Sequence, residues 1–256
     1  MARRRLDEEL VEQGFFATKD EASRAVMAGE VSTSGRRLEH AGEQVKPGIE
    51  LHVRGRAKFV SRGGLKLEHG LEQLGVDPAG LACLDVGCST GGFTDCLLSH
   101  GAASVLAVDV GYAQFSYALR QDSRVELVER TNVRDLATPE RLGSVQLAVC
   151  DVSFTSVIPL LPAICALLAP GGQFLCLVKP QFEAAREDVG AGGIVTSPEV
   201  RLACLERVIA AFTEAGLAPQ GACWSPISGA KGNREFLLLG QLGAEPRELD
   251  LSFARV

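Results

Sequence analysis

The sequence lacks the short patterns that mark several common classes of protein. None of its eight cysteines forms a C-x-x-C pair, the spacing typical of zinc sites and thioredoxin-type centres. The basic N-terminus is followed by Asp7, Glu8 and Glu9, where a secretory signal would carry an apolar segment. We therefore expect a cytoplasmic protein whose thiols stay reduced.

The sequence also lacks an uninterrupted apolar run long enough for a membrane helix. Residues 152–178 carry no charge, but Pro159, Pro162 and the sequence Pro170-Gly171-Gly172 interrupt them. A membrane helix needs about 20 consecutive apolar residues, so none fits here. We expect no membrane contact, and predict instead a helix, a turn and a buried strand.

Neither the composition nor the length is typical of a disordered or fibrous protein. With 46% hydrophobic and 23% charged residues over 256 positions, the chain can bury a sizeable core, with or without a small second domain. Its net charge of −6 would argue against a nucleic-acid partner if it were evenly spread. However, residues 1–66 carry 13 lysines and arginines against 10 acidic residues, whereas residues 67–256 carry 13 against 22. The chain is therefore electrostatically divided.

The basic part ends in a segment that has five cations and no acidic residue. Its cations are Arg54, Arg56, Lys58, Arg62 and Lys66. Such a segment is either a solvated linker between domains or a strip along which a phosphate backbone could lie.

Residues 1–53 have the pattern of a small module with two helices and short strands. Apolar residues recur twice at helical spacing, the first time up to Gly14 and the second up to Gly29. Extended pieces are predicted at 31–33 and 49–53. Because the core of such a module is small, we expect it to be appended to a larger domain.

From Leu81 onward the pattern changes to alternating strands and helices, which predicts an α/β fold with an open, mostly parallel sheet. Continuous apolar runs predict strands that are covered on both faces, at 81–86, 104–109, 145–150 and 174–178. A further strand is predicted at 125–128. The segment 234–240 follows the Trp224 segment too closely for a crossover helix, which indicates an antiparallel hairpin.

A glycine-rich turn follows the first of these strands and has the character of a nucleotide site. Asp85 to Phe93 include three glycines, and Asp109, which ends the next strand, could accept hydrogen bonds from ribose hydroxyls. The spacing is not G-x-G-x-x-G, which argues against a nicotinamide or flavin cofactor. The Gly-Lys-Ser/Thr of a phosphate loop does not occur, which argues against an NTPase.

Asp85 to Phe93, together with Asp109, resemble the S-adenosylmethionine site of the Rossmann-like methyltransferases, particularly the FtsJ-type RNA ribose methyltransferases. Residues 6–50 resemble the RNA-binding domain of the ribosomal-protein-S-four type. The combination resembles the TlyA family, long labelled "hemolysin A", which consists of ribosomal RNA 2′-O-methyltransferases. The most specific strings lie at 60–67, 151–154, 178–182 and 232–236.

The resemblance implies a division of the chain and a substrate. Residues 1–53 would bind RNA, 54–62 would form a basic linker, 63–243 a Rossmann-like S-adenosylmethionine-dependent methyltransferase domain, and 244–256 a tail. The expected substrate is a ribose 2′-hydroxyl, that of a cytidine, in ribosomal RNA or a ribosomal subunit. No obligate protein partner is inferred.

Three sets of site residues are predicted, the first two from the resemblance and the third from the positions of the cations. In the catalytic set, Lys179 would handle the hydroxyl proton with Lys66 as a neighbouring cation, while Asp151 and Glu235 would hold the lysines and the hydroxyl in line. The cofactor set is Asp85, Gly87, Cys88, Ser89, Thr90, Gly91, Gly92, Phe93, Asp109 and Asn132. The RNA-binding set is Lys19, Arg24, Arg36, Arg37, Arg54, Arg56, Lys58 and Arg62.

Several alternatives remain open at this stage. One is a related methyltransferase with another RNA target, another a non-catalytic RNA-binding or ribosome assembly factor, and a third, suggested by the family's old label, a membrane-active cytolysin. A base-carbon methyltransferase would need a cysteine nucleophile, but Cys150 and Cys176 lie in apolar runs and are expected in the core. An adenine-amino methyltransferase would show Asp/Asn-Pro-Pro-aromatic where Asp151-Val-Ser-Phe154 stands.

Overall fold

A computed structural model describes residues 3–13, 15–16, 18–33, 36–49, 51–55, 58–229 and 232–255. The chain divides into two compact units, Met1–Val60 and Ser61–Val256. The division falls inside the basic segment from Arg54 to Lys66. The predicted domain boundaries at residues 53, 62 and 243 stay predictions.

In its described residues, the first unit has two helices and five very short strands. The helices are α1 (Leu6–Glu12) and α2 (Lys19–Met27). The strands are β1 (Arg4–Arg5), β2 (Val31–Thr33), β3 (Arg36–Arg37), β4 (Gln44–Val45) and β5 (His52–Val53). Strands β3, β2 and β5 form one antiparallel sheet and β1 pairs with β4.

The first unit folds around a small apolar core, as its helical spacing predicts. Leu6 and Leu10 of α1 and Val26 of α2 are buried against Val31 and Leu38. Helix α2 starts where the Thr18 hydroxyl accepts a hydrogen bond from the backbone N–H of Glu21, a standard N-cap.

The part of the second unit that the structure describes is a seven-stranded sheet flanked by helices. Its strands are β6 (Ala82–Val86), β7 (Ser104–Val108), β8 (Val125–Val128), β9 (Val145–Cys150), β10 (Leu168–Val178), β11 (Leu217–Trp224) and β12 (Phe236–Leu242). Its helices are α3 (Arg62–Leu74), α4 (Gly92–Ser99), α5 (Tyr117–Arg120), α6 (Leu161–Leu167), α7 (Pro180–Glu183) and α8 (Pro198–Glu214).

The strand order in this sheet is β11-β12-β10-β9-β6-β7-β8. Strands β10, β9, β6, β7 and β8 are parallel, and β12 runs antiparallel to both β10 and β11. The predicted α/β fold with an antiparallel C-terminal hairpin is thereby confirmed. The central strands are apolar because helices cover both of their faces, and Leu84, Ala148 and Cys176 are fully buried.

The segment at 152–178 differs from its prediction in one detail. Helix α6 and strand β10 are present, but the expected turn at Pro170-Gly171-Gly172 lies within β10. The strand accommodates it as an irregularity between Leu168 and Gln173, with Gly171 at φ +76°. No helix in the described part of the chain is both long and apolar enough to cross a bilayer.

The described part of the last thirteen residues packs on the second unit. Trp224 donates a hydrogen bond from its indole Nε1 to the backbone oxygen of Phe253, at 3.1 Å. The Phe253 ring meets Trp224 and Phe236 edge-on, and Ala254 is fully buried. This segment therefore supports the β11–β12 hairpin.

Candidate active site

The predicted site residues follow the carboxyl ends of four neighbouring parallel strands. Strand β6 leads into the glycine-rich turn, β7 into Asp109, β9 into Asp151 and β10 into Lys179. The carboxyl ends of parallel strands meet at one edge of a sheet, where open α/β folds bind their ligands. The topology therefore brings these residues together.

Two glycines of the turn are required by its geometry. Gly87 has φ +80°, and a Cβ there would lie 3.0 Å from the backbone oxygen of Asp151. Gly91 has φ +96° immediately before α4, and a Cβ there would lie 2.5 Å from the Leu119 side chain. These positions favour glycine both by their left-handed backbone and by the lack of space.

Asp109 ties the turn to the loop after β7. Its carboxylate accepts hydrogen bonds from the backbone N–H groups of Ser89, at 2.8 Å, and Gly111, at 2.7 Å. It lines a cavity of about 380 Å³ together with Gly87, Thr131 and Asn132. This volume is in the range of small-molecule sites. Asn132 also caps the following 3-10 turn by accepting a hydrogen bond from the Arg134 backbone N–H.

Asp85 is fully buried and holds the turn to helix α4. Its Oδ2 accepts hydrogen bonds from the backbone N–H and the hydroxyl of Thr94, at 3.0 and 2.7 Å. Its Oδ1 has no hydrogen-bond partner within the described residues. Burial raises the pKa of Asp85 to about 7, with smaller contributions from Asp151 and Asp109. A direct contact of Asp85 with a cofactor stays a prediction.

A second cavity of about 300 Å³ adjoins the first. Gly87, Ser89, Asp151 and Ser153 line both cavities. The other residues of the second cavity come from the turn and the start of α4, from the start of helix α3, from the end of β10 and from the segment between β11 and β12. They are Ser61, Arg62, Gly63, Lys66, Cys88, Thr90, Gly92, Phe93, Lys179 and Gly229.

The four residues of the predicted catalytic set form two ion pairs. Lys66 Nζ lies 2.5 Å from Glu235 Oε2, and Lys179 Nζ lies 2.5 Å from Asp151 Oδ1. Both lysines and Glu235 are buried. The lysines line the same cavity, and each makes its short contact with a carboxylate.

Three further residues at the site were not singled out from the sequence. Lys179 donates a hydrogen bond to the Ser153 hydroxyl, at 3.0 Å, and the Gln181 amide donates to Glu235 Oε1, at 3.0 Å. Phe154, at the rim of the first cavity, has φ +65° and is 91% exposed. All three stand inside the strings that carry the family resemblance. Their place in those strings is the one feature of the sequence that could have indicated them.

The predicted RNA-binding residues differ in their surroundings. Lys19 is paired with Glu8 at 2.6 Å, and Arg36 with Glu43 at 2.5 Å. Arg62 starts α3 and lines the second cavity, while Arg56 lies outside the described residues. The side chains of Arg24, Arg37 and Arg54 are exposed and that of Lys58 is half-buried.

The cysteines in the strands are unsuited to nucleophilic chemistry, as expected. Cys150 and Cys176 are fully buried in the sheet. Burial raises the pKa of the Cys150 thiol to about 12 and raises that of Cys176 as well. Because the thiolate is the nucleophilic form, neither thiol can supply it near neutral pH.

Comparison with known proteins gives one consistent result. A model of the FtsJ-like methyltransferase family matches residues 59–242. A candidate rRNA methyltransferase of Bacillus subtilis, YqxC, is 47% identical over 237 residues, covering 91% of this chain and 84% of that protein. The 16S/23S rRNA (cytidine-2′-O)-methyltransferase TlyA of Mycobacterium tuberculosis is 41% identical over 242 residues, covering 93% and 90%. A solved structure of a candidate hemolysin from Streptococcus thermophilus is also similar, with a TM-score of 0.72 and 41% identity. The match covers 98% of this chain and 92% of that one.

Proposed function

This chain belongs to the FtsJ-like methyltransferase family, and on that premise we propose that it transfers a methyl group from S-adenosylmethionine to the 2′-hydroxyl of a cytidine in ribosomal RNA. The observation that carries the proposal is the pair of lysine–carboxylate contacts beside the glycine-rich turn. The named rRNA methyltransferases among its relatives support the choice of RNA, of cytidine and of the ribose hydroxyl.

The residues around the first cavity suit the methyl donor. The Asp109 carboxylate can accept hydrogen bonds from ribose hydroxyls, and the glycine-rich turn lets backbone approach a ligand closely. Asn132 lies in the same cavity and can meet the adenine edge. When bound, S-adenosylmethionine supplies an electrophilic methyl group on a positively charged sulfur.

The second cavity suits the acceptor and its proton. A ribose hydroxyl is a poor nucleophile until its proton leaves. In its neutral form Lys179 Nζ can accept that proton, and the Asp151 carboxylate 2.5 Å away stabilises the resulting ammonium. The Lys66–Glu235 pair, held further by Gln181, fixes the opposite wall. Much of the acceleration then comes from positioning.

A non-catalytic assembly factor accounts less well for the same arrangement. Binding RNA requires neither two nearly buried lysine–carboxylate pairs nor a shaped turn next to them. The proposed setting is the cytoplasm, where ribosomes are made and where the eight cysteines would remain the free thiols found in the structure.

The test is transfer of labelled methyl from S-adenosylmethionine by the purified protein to ribosomal subunits and to free ribosomal RNA. We expect label on one ribose, located by nuclease mapping, and its loss from the ribosomal RNA of cells that lack the protein. Label on a base would contradict the ribose assignment. RNA binding without any transfer would favour the assembly factor.

A further inference from the structure

One short helix holds the loop after β9 at two points. Helix α7 begins directly after Lys179 and ends at Glu183. Lys179, before its first residue, contacts Asp151 and Ser153 at the start of the loop. Glu183 accepts hydrogen bonds from the Ser156 hydroxyl, at 2.7 Å, and from the backbone N–H of Val157, at 2.9 Å. A single helical turn therefore fixes both halves of residues 151–157.

Glu183 is buried in the protein, unlike a carboxylate at the surface. Only 4% of the residue is exposed, and both loop contacts are within normal hydrogen-bond distance. Its ion-pair partner Arg207 is half exposed and stands 3.4 Å away. A buried carboxylate is costly unless it is bonded, so the two loop hydrogen bonds are its main compensation.

The loop between these two points has a strained backbone. Phe154 adopts φ +65°, a conformation that non-glycine residues keep only when their surroundings enforce it. The centroid of its ring is 5.4 Å from that of Phe182 in α7, so the strained residue also contacts the same helix. Asp151 and Ser153, which line both cavities, are part of this loop.

We propose that Glu183 is a positioning residue for methyl transfer, a role that rests on the proposed function. By holding Ser156 and Val157, it sets where Asp151 and Ser153 meet Lys179. Loss of its carboxylate would let the loop shift while leaving the glycine-rich turn, Asp109 and the basic segment unchanged. Because residues of this loop also line the first cavity, cofactor affinity can change with it, but the rate of transfer should depend on Glu183 more strongly.

The test compares Glu183→Ala, Glu183→Gln and Arg207→Ala in single-turnover methylation with saturating RNA and S-adenosylmethionine. An ångström of misplacement can cost about a hundredfold, so we expect Glu183→Ala to slow transfer at least about tenfold. Its affinity for S-adenosylmethionine, measured by calorimetry, should fall by a smaller factor than the rate, because the glycine-rich turn and Asp109 are unchanged. Glu183→Gln should recover most of the rate, because its amide oxygen still accepts from Val157 and its amide NH₂ can donate to Ser156. Arg207→Ala, the matched control, should transfer normally.

Hydrogen exchange gives a readout that does not depend on activity. The Val157 amide should exchange faster in Glu183→Ala than in wild type and at a near-wild-type rate in Glu183→Gln. If Glu183→Ala does not fold, Ser156→Ala takes its place, since it removes one of the two loop contacts and leaves the carboxylate bonded to Val157. We expect that variant to lose a smaller part of the rate.

Three results would overturn the proposal. The first is a folded Glu183→Ala, or the substitute Ser156→Ala, that transfers methyl as fast as wild type. The second is a Glu183→Gln as slow as Glu183→Ala, because the effect would then belong to the charge and not to the hydrogen bonds. The third is a wild type that transfers no methyl, which would contradict the proposed function together with this inference. In the first two cases the wild type is active, so the proposed function stands.

Discussion

Lys66 and Glu235 lie 169 residues apart in the chain and meet in a buried ion pair, with Nζ and Oε2 2.5 Å apart. One comes from helix α3 and the other stands immediately before strand β12. The pair therefore joins the first helix of the large unit to its C-terminal hairpin. It is both a link in the fold and a wall of the second cavity, and its two contributions can be separated experimentally.

Removing one member of this pair should cost stability as well as activity. Glu235→Ala would leave the Lys66 ammonium buried without its carboxylate, which costs about 3 kcal/mol in such pairs. The double variant Lys66→Met with Glu235→Leu removes both charges and should regain much of the free energy of unfolding, yet remain inactive. Urea denaturation and methyl transfer measure the two effects. Recovery of activity in the double variant would exclude the pair from the reaction.

The sequence predicts which residues form this site better than it predicts which lysine pairs with which carboxylate. Lys66, Asp151, Lys179 and Glu235 stand in distinctive strings, and three of them line one cavity with the fourth bonded to its wall. Which lysine faces which carboxylate depends on how α3 packs on the sheet, and no local pattern encodes that. The expectation that Asp151 and Glu235 hold the two lysines did not say which carboxylate pairs with which ammonium.

Strands were predictable where their apolar runs end in clear turns. Strand β9 has the predicted bounds, 145–150, because the run is bounded by polar residues and buried on both faces. Strand β10 starts six residues earlier than predicted, since Pro170-Gly171-Gly172 has the local character of a turn while pairing with β9 continues around it. Long-range pairing thus overrides a local turn signal.

The contacts that polar residues make with distant partners are not encoded in the local sequence. Glu183 is 26 residues from Val157, and Gln181 is 54 residues from Glu235. Neither has a spacing or a neighbour in sequence that indicates a buried contact. Their partners come close only in the folded protein, where the ends of the strands lie side by side.

The basic segment should contribute to RNA affinity through phosphate contacts. Replacing Arg56, Lys58 and Arg62 by Ala should weaken binding and reduce the slope of log affinity against log salt by roughly one per lost contact. The control double variant Lys19→Ala with Arg36→Ala should have a smaller effect, because both side chains are already paired with carboxylates. Filter binding over a range of salt concentrations gives both slopes. Equal slopes for wild type and the triple variant would show that these cations are only solvated.

Asp85 should make stability depend on pH in the direction opposite to most carboxylates. Its pKa is about 4 in an unfolded chain and rises to about 7 when the folded protein buries it. Between these values the folded state binds the proton more tightly, so this contribution to stability is present at low pH and is lost as pH rises through about 7. Asp85→Asn has no proton to release. The difference between its free energy of unfolding and that of wild type should therefore shift in its favour by roughly 1 to 3 kcal/mol when the pH is raised from 5 to 8.

Urea midpoints at pH 5 and pH 8 measure this difference directly. The matched control is Asp122→Asn, since Asp122 is a half-buried carboxylate whose pKa the neighbouring Arg124 lowers to about 2. It stays ionised in both states over this range, so its difference from wild type should not change between the two pH values. A constant difference for Asp85→Asn as well would mean that its carboxyl ionises normally in the folded protein.

Lys179 should separate catalysis from binding. It follows β10 directly, is 8% exposed, and holds both Asp151 and Ser153. Lys179→Ala removes the amine that handles the hydroxyl proton, and loss of a positioned acid–base group costs at least about a hundredfold in rate. Lys179→Arg should fail as well, because a guanidinium can pair with Asp151 but stays charged and cannot accept a proton.

Both Lys179 variants should still bind S-adenosylmethionine and RNA, because the glycine-rich turn, Asp109 and the basic segment are untouched. Single-turnover methylation at saturating RNA and cofactor isolates the chemical step from those affinities. Lys46→Ala, an exposed lysine of the small unit, serves as the control and should transfer at the normal rate. Near-normal transfer by Lys179→Ala would remove the proton-handling role from this amine and, with it, the proposed four-residue site, while the methyltransferase family assignment would be unaffected. Normal transfer by Lys179→Arg alone would leave the site in place and assign the amine an electrostatic role, because only a fixed positive charge would then be required beside Asp151.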